Sequence, residues 1–530
     1  MPLFNPYKKV ILLILDGFGL ADDEAGNAIL ESGMPHLENL IAQYPTVTLD
    51  AAGLAVGLPW GQPGNSEVGH SALGTGRIVV QDLAHINGQI RSGDFYHNPA
   101  LVEAVLHAKK HHSALHLIGC TSPGGIHSHT DHLVALLELA RRHALPRVFV
   151  HFIADGQDMP SRDALTVLAA LEPVLKKCGA RIASVQGRAY AMDRILNWKL
   201  TEQVWHAMAD GDAPGVANAH EYIQQRYDQG DTDYDIPPAT ITESNRPVGR
   251  VEDDDAVIFY DFRNDRARQL ATPFITAAKF DAFPLQRRPQ NLKIVTMTKY
   301  SNEFAVPVAY QPLLLGGTLG EAVSASGATQ WRIAEKEKEA HVTSFFNGGR
   351  LEPFDGEQRE VVSSRFMRGD QYLVHPEMSA REITDALLER LDDAARLYVV
   401  NFANPDMIAH TGNLAATKRA VRIVDDCIGR ILERVGARED VAVVITADHG
   451  NAEELIDPLS GGEDTQHSTR PVPLVIAAPH ARGSSDHQDL QSLAHQAPMG
   501  ALIDVAPTIL TLLGLPKQTE MSGASVMHNS

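Results

Sequence analysis

The stretch Val10-Ile11-Leu12-Leu13-Ile14-Leu15-Asp16-Gly17 decides the fold class of this chain. Its apolar residues follow one another without the alternation of a half-exposed strand, which predicts a strand buried on both faces of a parallel sheet. Asp16 and Gly17 then end the strand with turn residues. Runs of the same kind recur at residues 148–153, 256–260, 397–402 and 441–446.

Helical patterns lie between these runs, at residues 131–142, 163–177, 380–395 and 415–435. Gly179 and Gly436 stand where helical C-terminal stops belong. The alternation of strands and helices predicts an α/β architecture, and at roughly 150 residues per domain the length favours more than one unit. The proline-containing segment 231–250 is predicted to be a long surface loop.

Charge and cysteine content limit the partners and the location of the protein. The chain has 46 Lys and Arg against 66 Asp and Glu, a formal net charge of -20, which opposes general affinity for nucleic acid or an anionic membrane. Cys120, Cys178 and Cys427 form no metal-binding or disulfide pattern. No apolar segment approaches the roughly 20 residues that span a bilayer. We therefore expect a cytoplasmic protein that binds neither nucleic acid nor membranes.

Residues that can bind metal ions follow three of the apolar runs, where ligands of open α/β sheets collect. Asp406 and His410 lie four residues apart and share a face on a helical turn. Three carboxylates and three imidazoles are enough for two divalent cations, and this ligand mixture without thiolate suits manganese or zinc better than calcium. Because the chain has 24 His, spacing alone leaves coincidence open. The candidates are Asp16, Asp406, His410, Asp448, His449 and His467.

A candidate nucleophile lies in the glycine-rich stretch 61–70, which contains Gly64-Asn65-Ser66-Glu67-Val68-Gly69-His70. A serine hydroxyl is a weak nucleophile near neutral pH unless a base or a metal ion lowers its pKa. Ser66 therefore becomes a candidate only together with the metal ligands. The alternative is a loop in which Ser66 merely caps a helix.

Four segments together resemble the 2,3-bisphosphoglycerate-independent phosphoglycerate mutases. They are Leu15-Asp16-Gly17-Phe18-Gly19, the Ser66 segment, Asn404-Pro405-Asp406-Met407-Ile408-Ala409-His410-Thr411-Gly412 and Thr446-Ala447-Asp448-His449-Gly450-Asn451, in order and at compatible spacing. The resemblance implies an alkaline-phosphatase-like parallel-sheet domain made of residues 1–80 and 312–530. A second α/β domain, residues 81–311, is inserted into it and binds the substrate.

The resemblance also implies a role for each matched position. One manganese ion would be bound by Asp406, His410 and His467, and the other by Asp16, Ser66, Asp448 and His449, with cobalt or zinc as alternatives. Ser66, Asp158 and Lys338 would be catalytic. The substrate would be bound by His127, Gln157, Asp158, Arg188, Arg194, Arg263, Arg266 and Lys338. Arginine forks suit a small acidic phosphate ester.

The chain departs from the family pattern at a few positions. Gln157, in Asp155-Gly156-Gln157-Asp158, stands where the family has a substrate-binding arginine. Glu339 replaces the usual tyrosine after Lys338, and residues 195–197 replace charged residues. Losing a bidentate partner to a substrate anion costs on the order of 1.5 to 3 kcal/mol. These departures bear on substrate identity more than on reaction class.

The resemblance implies a monomeric enzyme of glycolysis and gluconeogenesis that interconverts 3-phosphoglycerate and 2-phosphoglycerate through a phosphoserine, without bisphosphoglycerate. One alternative is a related phosphomonoesterase or a mutase for another phosphorylated acid, which Gln157 favours. A sulfatase is disfavoured, because the nucleophile segment lacks Cys-x-Pro-x-Arg. A second alternative is a binding protein that has lost activity, which the complete ligand set disfavours.

Overall fold

The computed structural model describes residues 6–22, 25–364, 369–436, 438–457, 461–483, 487 and 489–527. The chain forms two compact units, the first made of residues 1–81 and 313–530 and the second of residues 82–312. The second unit is therefore an insertion into the first, and its limits differ by one residue from the expected 81–311. No helix among the described residues is long and apolar enough to cross a membrane.

The strands supply two sheets, one in each unit. In chain order they are β1 (Lys9–Leu15), β2 (Thr46–Asp50), β3 (Leu115–Cys120), β4 (Val148–Ala154), β5 (Ala180–Gly187), β6 (Gly215–Val216), β7 (Ala239–Glu243), β8 (Arg246–Pro247), β9 (Ala256–Phe259), β10 (Lys293–Thr296), β11 (Gln330–Glu335), β12 (Glu357–Val362), β13 (Leu397–Phe402), β14 (Val441–Thr446), β15 (Val472–Ala477) and β16 (Gly500–Ala501). All five apolar runs of the sequence are strands.

The helices follow the predicted alternation with strands. They are α1 (Ala28–Ser32), α2 (Pro35–Gln43), α3 (Ser66–Thr75), α4 (Asp82–Ser92), α5 (Pro99–His111), α6 (Thr130–Arg142), α7 (Ala164–Cys178), α8 (Arg188–Ala191), α9 (Trp198–Trp205), α10 (Ala219–Asp228), α11 (Asn264–Ile275), α12 (Leu319–Ala325), α13 (Gly369–Val374), α14 (Ala380–Arg390), α15 (Asn404–Ala409), α16 (Leu414–Val435), α17 (Leu490–Ala494) and α18 (Val505–Leu513). The predicted helix 380–395 ends early, at Arg390.

The sheet of the first unit is mostly parallel. Its order is β12-β11-β13-β1-β14-β15-β2-β16, and β15 runs antiparallel to both of its neighbours. Every residue of β1, β13 and β14 is buried. The continuous apolar runs therefore lie at the centre of the sheet, covered on both faces, and the predicted α/β class is confirmed.

The sheet of the inserted unit has the order β10-β9-β3-β4-β5-β7-β6, with β8 paired to β7. The strands from β10 to β5 are parallel. Alternate residues enter two different apolar clusters, as Val257 and Ile258 of β9 do. Both faces of this sheet are therefore covered as well.

The prediction of a long surface loop at residues 231–250 is wrong. Strand β7 lies within it, begins with buried Ala239 and Thr240, and pairs with β5. Ser244 and Asn245 both have positive φ, 51° and 59°, as the two central residues of a tight hairpin turn require, and the chain returns as β8. The prolines flank the paired residues of β7 and do not interrupt them.

Candidate active site

Three adjacent parallel strands bring the predicted ligands to one edge of the first sheet. β1 lies between β13 and β14, and all three run in the same direction. Asp16 directly follows β1, and Asp448 comes two residues after β14. Asp406 lies in α15, the helix that follows β13 in the chain. The carboxyl ends of parallel strands meet at the same edge, which explains why residues so distant in sequence come together.

The first cluster consists of Asp406, His410 and His467. The Nε2 atoms of His410 and His467 lie 3.2 and 3.3 Å from Asp406 Oδ1 and 3.1 Å from each other. The Nδ1 atoms of these two rings donate hydrogen bonds to carbonyl oxygens, at 2.8 Å to Thr465 and 2.9 Å to Gly64.

These Nδ1 bonds fix the tautomer of both imidazoles. In the neutral ring each Nε2 then carries a lone pair, so two lone pairs and a carboxylate oxygen converge without a proton between them. Such an arrangement of acceptors is stable when a cation lies among them, and it is the usual way in which a protein orients histidine ligands. The residues present therefore fit a divalent metal ion.

The second cluster surrounds Ser66, the first residue of α3. Its Oγ lies 3.2 Å from Asp16 Oδ1 and 3.0 Å from His449 Nε2. Asp448 Oδ2 lies 3.5 Å from the same His449 nitrogen. Asn65, rather than Ser66, caps α3 by accepting a hydrogen bond from the Val68 amide, so the capping alternative for Ser66 is wrong.

Lys338 joins the two clusters. Its Nζ donates to Asp16 Oδ1 at 2.6 Å, to Asp406 Oδ2 at 2.8 Å and to Ser66 Oγ at 2.9 Å. Burial opposes its charge, but the carboxylates of Asp16 and Asp406 raise the pKa of Lys338 above its usual value. Burial and the neighbouring Asp448 raise the pKa of Asp16 to about 6. The site thus concentrates negative charge that cations must balance.

Sequence reasoning missed several buried groups beside these residues. His70 Nδ1 lies 3.1 Å from Asp448 Oδ2. Asn401 donates to Asp16 Oδ2 at 2.7 Å, and Asn451 donates to Asp406 Oδ1 at 2.9 Å. The available signal was a polar residue in an otherwise apolar strand, as Asn401 is in β13. These groups orient the carboxylates that the sequence identified.

Arg188 is the centre of the predicted substrate residues in the inserted unit. Its side chain is 2% exposed, and it donates to Asp155 Oδ1 at 2.7 Å, to Asp158 and to His127 Nε2 at 2.9 Å. Because His127 Nε2 accepts this bond, the neutral ring carries its proton on Nδ1, which lies 3.6 Å from Asp265 Oδ1. Burial and Arg188 lower the pKa of His127 to about 4. Arg188, His127 and Asp158 therefore form one cluster.

The other predicted arginines are more exposed. Arg194 donates to Asp265 Oδ2 at 2.9 Å, and Arg263 Nε lies 3.5 Å from Asp265 Oδ1. Arg266 donates to the carbonyl of Met192. Asp265, which the sequence analysis gave no role, thus holds two of the three arginines close to His127.

Gln157 is exposed on a turn whose backbone is fixed by Asp155. The amides of Gln157 and Asp158 both donate to Asp155 Oδ1, at 3.2 and 3.0 Å. Within the described residues the Gln157 side chain has no hydrogen-bond partner. An arginine at this position would therefore break no existing side-chain hydrogen bond.

A mostly parallel sheet with carboxylates and imidazoles beyond its central strands defines a divalent-metal-binding α/β enzyme of the alkaline phosphatase superfamily. Residues 371–515 match the sulfatase family of that superfamily, and residues 86–302 match the family described as BPG-independent PGAM N-terminus. One match therefore lies in each unit of the fold.

The chain belongs to the 2,3-bisphosphoglycerate-independent phosphoglycerate mutase family, as its relatives show over their full length. It is 45% identical to the Moorella thermoacetica enzyme of that name over 98% of each chain. It is 43% identical to that of Clostridium botulinum over 98% of this chain and 99% of the relative. A crystal structure of Leishmania mexicana phosphoglycerate mutase, determined at low cobalt concentration, superimposes with a TM-score of 0.74 at 30% identity, covering 98% of this chain and 97% of the other. The resemblance inferred from the motifs is confirmed, and the chain is a mutase.

Proposed function

We propose that this mutase interconverts 3-phosphoglycerate and 2-phosphoglycerate through a phosphoserine on Ser66, with two divalent cations, manganese before cobalt or zinc. The observation that carries the proposal is the position of Ser66 Oγ, within 3.2 Å of the Asp16 carboxylate, the His449 imidazole and the Lys338 ammonium group.

The cations would be held by two sets of ligands: Asp406, His410 and His467 in one, and Asp16, Ser66, Asp448 and His449 in the other. When bound, they would withdraw charge from the phosphoryl oxygens and favour the ionised form of the Ser66 hydroxyl.

In the first step Ser66 Oγ forms a bond to phosphorus and the bond between phosphorus and the substrate's 3-oxygen breaks. Lys338 stabilises the negative charge that spreads over the phosphoryl oxygens in this step. Its ammonium group already lies 2.9 Å from Ser66 Oγ, so little reorganisation is needed. The products of this step are phosphoserine and glycerate, whose 3-oxygen carries the proton that the Ser66 hydroxyl gave up.

In the second step the 2-hydroxyl of glycerate attacks the phosphoserine and restores Ser66. We assign Asp158 as the base that takes the proton of this hydroxyl, and Arg188 holds the Asp158 carboxylate in place. Neutral His127 and the arginines bind the carboxylate and hydroxyl groups of glycerate. Net transfer moves the phosphoryl group between two oxygens of one molecule, so no bisphosphoglycerate is required.

A second candidate is release of inorganic phosphate, or transfer within another phosphorylated acid. Gln157 favours it, since an exposed amide replaces the family's substrate-binding arginine. The proposal keeps the mutase reaction first because the remaining predicted residues are all present. A cytoplasmic location and a monomeric state are further parts of the proposal that rest on the sequence.

The test is phosphorus NMR of the manganese-loaded protein with 3-phosphoglycerate and no bisphosphoglycerate. Appearance of 2-phosphoglycerate with wild type, and its absence with Ser66→Ala, would support the proposal. Ser71→Ala, a buried serine of the same helix, is the matched control and should remain active. Inorganic phosphate alone would instead favour the second candidate.

A further inference from the structure

Glu453 is a buried carboxylate that, within the described residues, forms no hydrogen bond or ion pair with a predicted ligand side chain. It is 2% exposed and lies four residues after His449. Its Oε2 accepts hydrogen bonds from the amides of Gly19, at 3.0 Å, and Asn451, at 2.8 Å. Its Oε1 accepts from the hydroxyl of Ser468. One side chain is thus bonded to three separate segments.

Each of these segments carries predicted ligands. Gly19 lies three residues after Asp16, Asn451 lies two residues after His449, and Ser468 directly follows His467. Backbone bonds join these segments two at a time, from Ala452 to Gly17, from Ser468 to Gly450 and from Leu20 to Pro471. Glu453 joins all three at a single point.

Two glycines make room for this carboxylate. A Cβ atom at Gly19 would lie 2.4 Å from the Glu453 carboxyl carbon, and one at Gly450 would lie 2.4 Å from Oε1. Distances this short are not tolerated, so any larger residue at either position would displace Glu453. The local sequence of both ligand segments is therefore adapted to hold the Glu453 side chain.

We infer that Glu453 is a positioning residue for the metal centre, which fixes the segments carrying Asp16, His449 and His467 in their binding geometry. This inference rests on the proposed two-cation site. Hydrogen-bonded groups behind the ligands set their orientation, and losing one typically weakens metal binding about tenfold to a hundredfold.

The variants Glu453→Gln and Glu453→Ala distinguish a positioning role of this side chain from an effect of its negative charge. In Glu453→Gln the amide oxygen still accepts from both backbone amides, and the NH₂ group donates to Ser468 Oγ, so the connection survives without the charge. In Glu453→Ala the two amides and the hydroxyl lose their partner. If Glu453 acted as a nearby anion that attracts cations, both variants would lose affinity equally.

Asp425→Ala is the matched control. Asp425 is also a buried carboxylate of the first unit that accepts two backbone amides, those of His36 and Leu37, at 3.1 and 2.9 Å. It bonds to the start of α2 and, among the described residues, forms no hydrogen bond or ion pair with a predicted ligand side chain. Its loss reproduces the general cost of unpaired buried amides without touching the ligand segments.

The experiment measures Mn²⁺ affinity of the metal-free full-length proteins by calorimetry, with their unfolding temperatures recorded in parallel. We expect both alanine variants to unfold at lower temperature, but only Glu453→Ala to bind Mn²⁺ about tenfold to a hundredfold more weakly, with Glu453→Gln within about threefold of wild type. Wild-type affinity in Glu453→Ala, or an equal loss in Glu453→Gln, would overturn the inference.

A wild-type protein that binds no Mn²⁺ would overturn the proposed cation site itself, which the same titration shows separately. If Glu453→Ala does not fold, Ser468→Ala provides the milder test. It removes the hydroxyl that donates to Glu453 Oε1 and accepts from the Arg470 amide, and we expect a loss of about threefold in Mn²⁺ affinity. Unchanged affinity in a folded Ser468→Ala protein would then contradict the inference.

Discussion

The Nζ atom of Lys338 lies 2.9 Å from the Oγ atom of Ser66. The same ammonium group also bonds to Asp16 and Asp406, one from each predicted ligand set. A cation in this position neutralises the carboxylates and remains next to the oxygen that would receive the phosphoryl group. Its removal should therefore affect the reaction more than the fold.

Lys338→Met is expected to lower kcat by about a hundredfold to a thousandfold, because it removes a preorganised charge beside the transferred group. The neighbouring carboxylates raise the Lys338 pKa despite its burial, so the ammonium form persists through neutral and mildly alkaline pH. The loss should accordingly be the same across that range. Lys336→Met, which removes an exposed lysine of the same turn paired with Glu339, should be active. Equal kcat for the two variants would contradict this role.

His467→Ala is expected to leave one bound manganese per chain where wild type has two. The variant removes one of the two imidazoles that converge on Asp406 and keeps all four predicted ligands of the Ser66 set, although His449 loses the ring stacked on it. Metal content of the purified, Mn²⁺-equilibrated protein measures the effect. His495→Ala, at an exposed histidine, should keep both ions. Two tightly held ions in His467→Ala would refute the assigned ligand set.

Gln157→Arg is expected to lower KM for 3-phosphoglycerate by about tenfold, since it restores a fork that can pair with a substrate anion. Steady-state kinetics with 3-phosphoglycerate as the substrate would measure this decrease in KM. Gln225→Arg adds the same charge on exposed α10 and should leave KM unchanged. An unchanged KM in Gln157→Arg would mean that another cationic side chain already binds the substrate anion, or that the preferred substrate is a different phosphorylated acid.

Asp261→Asn is expected to stabilise the protein at pH 8 but not at pH 5. Burial raises the pKa of Asp261 to about 7, so the folded state retains a proton that the unfolded state loses near its ordinary pKa of about 4. Between these values the folded state binds more protons, and stability falls as pH rises. Thermal unfolding at both pH values tests this. An equal shift at pH 5 and pH 8 would contradict it.

The strands at the centre of both sheets could be predicted because a short continuous apolar run is typical of a strand that is buried on both faces of a sheet. β7 could not, since Ala239–Glu243 is short, half polar and preceded by two prolines. Its pairing with β8 depends on the Ser244-Asn245 turn, which is recognisable only once both residues are seen with positive φ.

The candidate ligands could be predicted because metal-binding residue types follow strand ends in motifs that resemble a known family. The supporting groups could not. Asn401, His70 and Glu453 are buried polar residues, and nothing in their sequence neighbours tells what they contact. The role of each residue as a metal ligand or substrate contact stays a prediction that the experiments above address.

The insertion has a consequence for how the protein is made. The inserted unit is contiguous in sequence, so its residues are all present once the ribosome has passed Pro312. The central strand β1, by contrast, pairs with β13 and β14. Val10 can therefore pair with Leu397 and Ala442 only after these much later residues have been synthesised. Asp16 emerges first and His467 last among the predicted ligands. During synthesis the inserted unit can therefore fold early, whereas Ser66 acquires its complete surroundings only near the end of translation.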